Sequence, residues 1–419
     1  MKPDSQRIAV TGMGLISPLG LCVEDAVTAA HAGVSGIRRC DERFAGEYGA
    51  RIPCRVGGTV FGFDPTKYVD EKFAARYDDF ENFAIAAADE AVADAGLRES
   101  GIDGDRVGVV IGTAVTGAQT WQKALYQAFA ERDAEHIPGH MGIAVSGNMP
   151  TGLVALRFGY RGPSIGVVNA CASGGTAISL AADAIRLGRA DAMIAGGSEA
   201  AIGVFMYATF INAKAINPTD DPVRACKPFS LDRAGLIKGE GCGLVVLERL
   251  DAARARGARV YAILEGEAHT NDAHHVITPK ADGEHWARAI RLALADAQVA
   301  PEEVDYISAH AASTKYGDLA ESNAIKSVFG ARAYEISVSS TKSMHGHSFG
   351  ATGAIEAILA IAAMNRRAVL PTTNLTIPDP ECDLDYVSEP LRRRETRVLL
   401  KNSFGFGGTN TCLVFSVPD

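Results

Sequence analysis

Four residues have side chains suited to covalent chemistry and stand at junctions where such chemistry can be positioned. They are Cys171 in "GVVNACASGG", His310 in "YISAHAAST", and Lys342 and His347 in "STKSMHGHSFG". Cys171 follows an apolar, strand-like run and precedes small residues and an alanine-rich helical pattern. At the start of a helix, free N–H groups and the macrodipole stabilise a thiolate and lower the pKa of its thiol. Ala172, Ser173, Gly174 and Gly175 leave space for a substrate to approach. The competing reading of a lone cysteine is a buried structural thiol, and it suits the other seven cysteines of this chain. A lone histidine is likewise more often structural. Yet His310, the Lys342/His347 pair and the glycine-rich turn around Phe406 in "KNSFGFGGTN" each end a strand-like run. Sites in open α/β sheets form at the carboxyl ends of strands, so these ends point to one shared site.

The elements that must carry these residues alternate along the chain. "RIAVTGMG", "VGVVIGT", "ADAMIAGGSE" and "GCGLVVLERL" read as buried strands. "ENFAIAAADEAVADAGL" reads as a helix stopped at Gly96. The alternation continues through "ARVYAILEGEAHT", "HWARAIRLALADAQV", "VDYISAHAAS", "DLAESNAIKSVFG" and "YEISVSST", which predicts an α/β protein with largely buried sheets. "CASGGTAISLAADAIRLG" and "SFGATGAIEAILAIAAMNRR" each open on small residues and run into an Ala/Ile-rich helix. They read either as a duplicated α/β unit, with halves 1–255 and 256–419, or simply as two buried helices of similar composition. Helices this rich in Ala and Gly belong between sheets, where only small side chains fit.

Bulk properties set the outer limits. At 419 residues, 47% hydrophobic, the chain is long enough for a large core, and its 44 Gly and 17 Pro follow no period. A formal net charge of -9 disfavours general binding to nucleic acid or to an anionic membrane. No two of the eight cysteines form a C-x-x-C pair, which argues against a zinc ribbon and for thiols of a reducing compartment. There is no apolar signal-like region at the start and no long uncharged apolar run. A cytoplasmic location is the expectation.

Taken together, "RIAVTGMGLISPLG", "YRGPSIGVVNACASG", "ADAMIAGGSEA", "CKPFSLDRAGLIKGEGCG", "STKSMHGHSFGATG" and "LKNSFGFGGTNTCLVF" resemble the β-ketoacyl-acyl carrier protein synthases, the elongating condensing enzymes of the thiolase fold. The resemblance covers nearly the whole chain and extends to the relatives in type II polyketide pathways. It implies a five-layered α-β-α-β-α fold made of two similar halves, usually dimeric. It implies that Cys171 takes an acyl chain, and that His310 and His347 act as neutral donors on an incoming malonyl group. Lys342 would hold the site together electrostatically, paired with Glu321. Phe406 would gate the acyl pocket, and its N–H would join that of Cys171 in an oxyanion hole. Thr314 would bind the pantetheine arm of the carrier, and Ala114, Val115, Met141 and Phe404 would line the acyl pocket, Met141 across a dimer interface. Lys72 and Arg76, one turn apart on a helix face, would dock an acidic acyl carrier protein, although ordinary solvated charges are the plain alternative. No metal or redox cofactor is expected, because the pantetheine belongs to the carrier. The partner copy would be identical or a ketosynthase-like chain-length factor.

The chain departs from the family pattern in places. Ala311 and Ala312 stand where Gly and Thr are usual, His345 replaces a Thr, Ala234 an acidic residue, and Ser348 and Phe349 two leucines. None removes a catalytic group; together they point to a specialised synthase for unusual, unsaturated or polyketide-like chains. Three rival readings remain. A non-catalytic chain-length factor would lack the nucleophilic cysteine, a thiolase would carry a second reactive cysteine near the C-terminus, and a starter-type enzyme would have Asn in place of His347.

Overall fold

The computed structural model describes residues 2–44 and 51–418. Ten strands form the main sheet: β1 (Ile8–Ile16), β2 (Val107–Gly112), β3 (Ser164–Val167), β4 (Ala192–Glu199), β5 (Gly241–Arg249), β6 (Ala262–Asn271), β7 (Tyr306–Ser308), β8 (Ser337–Ser339), β9 (Val398–Gly405) and β10 (Thr409–Ser416). Their spatial order is β8-β7-β9-β10-β6-β1-β5-β4-β2-β3. The first five strands run 3-2-4-5-1 from the edge inward, and the last five repeat that order as 8-7-9-10-6. The pairings match as well: parallel between β2 and β3 and between β2 and β4, antiparallel from β4 to β5 and from β5 to β1. The second half repeats this, parallel from β7 to β8 and β9 and antiparallel from β9 to β10 to β6. The two halves are one topology used twice, joined where β1 pairs with the start of β6.

Six helices matter for the site: α1 (Asp79–Asp94), α2 (Ser173–Arg186), α3 (Val204–Asn212), α4 (Glu284–Ala297), α5 (Lys315–Phe329) and α6 (Phe349–Asn365). α1 covers one outer face, against β1 and β5, while α4 packs on β6 and β10 with α5 beside it. α2 and α6 touch each other and strands of both halves, forming the middle layer. That location explains their composition. α6 is buried on every side, which an Ala/Ile helix tolerates and an amphipathic one does not. A Cβ at Gly174 would stand 2.8 Å from the Gly350 oxygen, so the two helices meet backbone to backbone. α1 starts with a capping box, Asp78 facing the Phe80 N–H and Glu81 accepting from the Asp78 N–H at 2.6 Å. It stops at Gly96, whose φ of +56° is left-handed. All eight cysteines are free thiols, and only Cys22 is not buried.

Candidate active site

Cys171 lies between the end of β3 and the first residue of α2, in a turn that the sequence holds tightly. Ala170, just before it, has φ +48°, an unfavourable conformation for a residue with a Cβ. Ser173 secures this turn: its Oγ accepts from the Asn169 N–H at 2.8 Å and lies 2.7 Å from the Ala170 carbonyl oxygen. The turn therefore presents the sulfur toward the second half of the molecule.

There it meets His347, whose Nε2 is 3.1 Å from Cys171 Sγ. The other ring nitrogen of His347 faces Thr352 Oγ1 at 2.9 Å. The His310 ring lies 5.4 Å from that of His347, centre to centre and nearly perpendicular. Burial and the Lys342 charge hold both histidines well below their usual pKa near 6.5, so both are neutral. Cys171, His310, His347, Phe349, Phe404 and Phe406 line one cavity of about 480 Å³. The Phe406 N–H is directed at the Cys171 sulfur, on a turn that needs left-handed backbone at Gly407 and Gly408.

The thiol itself corrects the sequence expectation. Burial pushes its pKa up to about 12, against the Lys342 charge and the Phe406 N–H, which lower it. Helix α2 begins two residues further on, and the start of a helix does not offset this burial. The resting group is a thiol, and it must be ionised during reaction.

Lys342 also differs from expectation. Its ammonium contacts both oxygens of Glu356, at 2.8 and 2.9 Å, and not Glu321. Lys401 binds the same carboxylate at 2.9 Å. Glu321 instead accepts from the N–H groups of His310 and Ala311 at 2.9 and 2.7 Å, and from the Asn402 amide at 3.0 Å. It is therefore the group that fixes the His310 loop. His345 is wholly buried, with Nε2 3.0 Å from Thr341 Oγ1 and its pKa lowered to about 4 by burial.

The remaining expectations divide. Thr314 lines the cavity and caps α5, accepting from the Gly317 N–H at 3.2 Å. Phe404 lines the cavity, stacked on Trp286 at 4.1 Å. Ala114 packs against the core cluster that includes Cys171, and the Ala114 and Val115 N–H groups both donate to Glu199. Neither Ala114 nor Val115 borders the cavity that holds Cys171. Met141 borders a separate surface cavity, with Arg76 and Pro138, so within one chain it is not a wall of the acyl pocket. Lys72 and Arg76 are exposed. They do not share a helix face, because the short helix Glu71–Ala74 ends before Arg76. Cys412 lies buried in β10, 3.4 Å from Asn402 Oδ1 and away from the cavity, where a second reactive cysteine has no access to substrate.

Sequence reasoning missed Glu356, Lys401, Lys238 and Glu199. Glu356, Lys401 and Glu199 share one visible signal, a single charged residue inside an otherwise apolar run, which folding buries and must then neutralise; Lys238 stands two residues before Glu240 in "GLIKGEGCG". The structure supports three of these with direct partners. Glu199 accepts three backbone N–H bonds, from Ala114, Val115 and Gly350.

A sheet topology used twice around a buried helix pair, with a cysteine and two neutral histidines in one cavity, defines a thiolase-fold condensing enzyme. Residues 5–253 match the β-ketoacyl synthase N-terminal domain and residues 261–376 the C-terminal domain. The chain belongs to the β-ketoacyl synthase family. It is 42% identical to 3-oxoacyl-[acyl-carrier-protein] synthase 2 of Synechocystis, covering 98% of each chain. It is 40% identical to the protein of the same name from Staphylococcus aureus strain N315, again over 98% of each. Among solved structures it resembles a type II polyketide ketosynthase bound to a hexaketide and in complex with its acyl-carrier protein (TM-score 0.91, 35% identity, 99% of each chain). It also resembles the ishigamide ketosynthase/chain length factor (TM-score 0.90, 33% identity, 99% of each chain).

Proposed function

We propose that this chain is a β-ketoacyl-acyl carrier protein synthase, elongating an acyl chain by decarboxylative condensation in fatty acid or type II polyketide synthesis. The observation that carries this reading is the 3.1 Å approach of His347 Nε2 to Cys171 Sγ, with His310 beside it in the same cavity.

The steps follow from the geometry. Cys171 Sγ attacks the thioester carbonyl of an acyl carrier. Its proton passes through His347 Nε2 to the departing pantetheine sulfur, which leaves His347 neutral again. A malonyl thioester then enters. Its C–CO₂⁻ bond breaks, carbon dioxide leaves, and the electron pair becomes an enolate whose oxygen lies between the two imidazoles. The enolate carbon attacks the acyl carbonyl on Cys171, forming the new C–C bond. The N–H groups of Phe406 and Cys171 receive the tetrahedral oxyanion, which collapses and releases the Cys171 sulfur as a thiolate; one proton from solvent restores the resting thiol. The reading calls on no metal or redox cofactor; the pantetheine arm comes from the carrier, with Thr314 on its path.

The partner in this reading is an acyl carrier protein, docked at Lys72 and Arg76. The second copy, identical or a chain-length-factor-like subunit, would lie along β3. That edge strand exposes Ile165, with Val168 next to it and Leu156 on the neighbouring helix, and such an edge calls for a covering partner. The reading places the protein in the cytoplasm; among the described residues no helix is long and apolar enough to cross a membrane. Replacement of leucines by Ser348 and Phe349 favours unusual or polyketide-like chains over ordinary saturated ones.

The test is intact-mass measurement after incubation with a panel of acyl carriers, followed by malonyl carrier. The expected result is an acyl adduct on Cys171 that malonyl carrier discharges. Absence of an adduct from every acyl carrier overturns the reading, and Cys171→Ala is the control without a nucleophile.

A further inference from the structure

Three lysines are buried around the cysteine and the two histidines: Lys238, Lys342 and Lys401, none more than 1% exposed. Two of them share Glu356. Lys238 is different. Its Nζ has no hydrogen-bond partner and sits 3.9 Å from the ring centres of both Phe210 and Phe349. A buried ammonium costs several kcal/mol unless something offsets it, and two aromatic faces offset only part of that.

The surroundings of Lys238 lead to the reacting atoms by two routes. Phe349 stacks on the His347 ring at 4.8 Å and 17°, and His347 touches the Cys171 sulfur. The backbone on either side of Lys238 brackets the same histidine: the His347 N–H donates to the Ile237 carbonyl at 2.7 Å, and the Gly239 N–H donates to the His347 carbonyl at 2.8 Å. The charge of Lys238 also acts on the Cys171 sulfur directly, as Lys342 does.

We propose that Lys238 is a positioning residue for the Cys171–His347 pair: through Phe349 it holds the imidazole in place, and its positive charge favours the ionised sulfur. The inference rests on the reading of Cys171 as the nucleophile. The titratable groups facing Lys238 are Cys171, His347 and Glu199, with the Tyr207 hydroxyl near its backbone. His347 is neutral, and the Tyr207 hydroxyl is held above its usual range by burial, so neither supplies a compensating charge. Burial lowers Lys238 to about 7 and raises Glu199 to about 7. The sign follows. Lys238 is charged below neutral pH and loses its proton as the pH rises, while Glu199 gains its negative charge over the same range and opposes ionisation of the sulfur, so assistance to thiolate formation is greatest in mild acid and fades above neutrality.

The rate of Cys171 alkylation by iodoacetamide, read on the Cys171 peptide by mass spectrometry, tests this over pH values from about 5.5 to 9. In alkylation the S–C bond forms, iodide leaves and the thiol proton goes to solvent. Lys238→Met keeps the length and the apolar stem between the two rings, and Lys238→Arg keeps the charge at every pH. Wild type is expected to react about tenfold faster than Lys238→Met at pH near 6, the ratio falling toward one above pH near 8.5. Lys238→Arg is expected to exceed Lys238→Met throughout. It is also expected to lack the flattened segment near neutrality that marks the wild-type profile, a comparison that holds even if Lys238→Met does not fold. Equal rates, or a ratio that does not change with pH, overturn the inference while leaving Cys171 as the nucleophile. A Cys171 that iodoacetamide fails to modify at any pH overturns both.

Discussion

The Lys342 ammonium and the Glu356 carboxylate lie 2.8 Å apart, and neither has any solvent exposure. Lys401 reaches the same carboxylate from β9, so one anion is shared by two cations at the base of the site. Its pKa is held below the usual carboxylate value by those two charges, although burial alone would raise it.

Removing that anion strands both ammonium groups in the core. Glu356→Gln should lower unfolding stability by about 3–5 kcal/mol, the usual cost of leaving buried charge uncompensated. Urea unfolding measures it, and a loss under about 1 kcal/mol would show that the pair contributes little. Glu321→Gln should leave the Lys342 pair intact and act instead on the His310 loop, whose N–H groups it accepts.

The histidines give a pH prediction. Their folded pKa values are depressed, so the neutral donor form persists below the ordinary value near 6.5. Decarboxylation of malonyl carrier by Cys171→Ala, followed as carbon dioxide release, should therefore be flat from pH about 8 down to about 5.5. A fall centred near 6.5 would mean that the imidazoles titrate like exposed ones.

The turn carrying Phe406 offers a test of the oxyanion donors. Gly408 has φ +73°, and a Cβ there would stand 2.9 Å from Asp272 Cβ. Gly408→Ala should displace the turn and lower the acylation rate about a hundredfold, the loss of one such donor, at unchanged carrier affinity. An unaltered rate would remove the Phe406 N–H from the mechanism.

Docking is tested by charge reversal. Lys72→Glu with Arg76→Glu should raise KM for carrier-bound substrates about tenfold and leave alkylation of Cys171 unchanged. Equal KM values would return the two residues to the status of solvated surface charges.

The residues that react were legible in the sequence because each marks a change of period, from strand to turn or helix, and the small residues after it leave space. The repeated Ala/Ile helices were legible for the same reason, and they are the middle layer that α2 and α6 form. What could not be read was which carboxylate reaches Lys342. Glu321 and Glu356 both lie on helices further along the chain or before it, and only the packing of α6 against the Lys342 turn selects the second. The protonation of Cys171 was read with the wrong sign, since a junction near a helix start is visible in sequence while the burial of the thiol is not. Arg76 fell off the expected helix face because the short helix capped at Asp70 ends at Ala74.

The backbone contact between α2 and α6 has a consequence for how such a protein can diversify. Where Gly174 meets Gly350, and Gly353 stands so that an added Cβ would lie 2.9 Å from the Gly175 nitrogen, there is no slack to absorb a larger residue or a tilt. The hub that aims the reactive groups is thus closed to variation. Adaptation to a new acyl chain must fall on the rim, in the segments around 213–215 and 233–236 that border the cavity without holding the oxyanion turn.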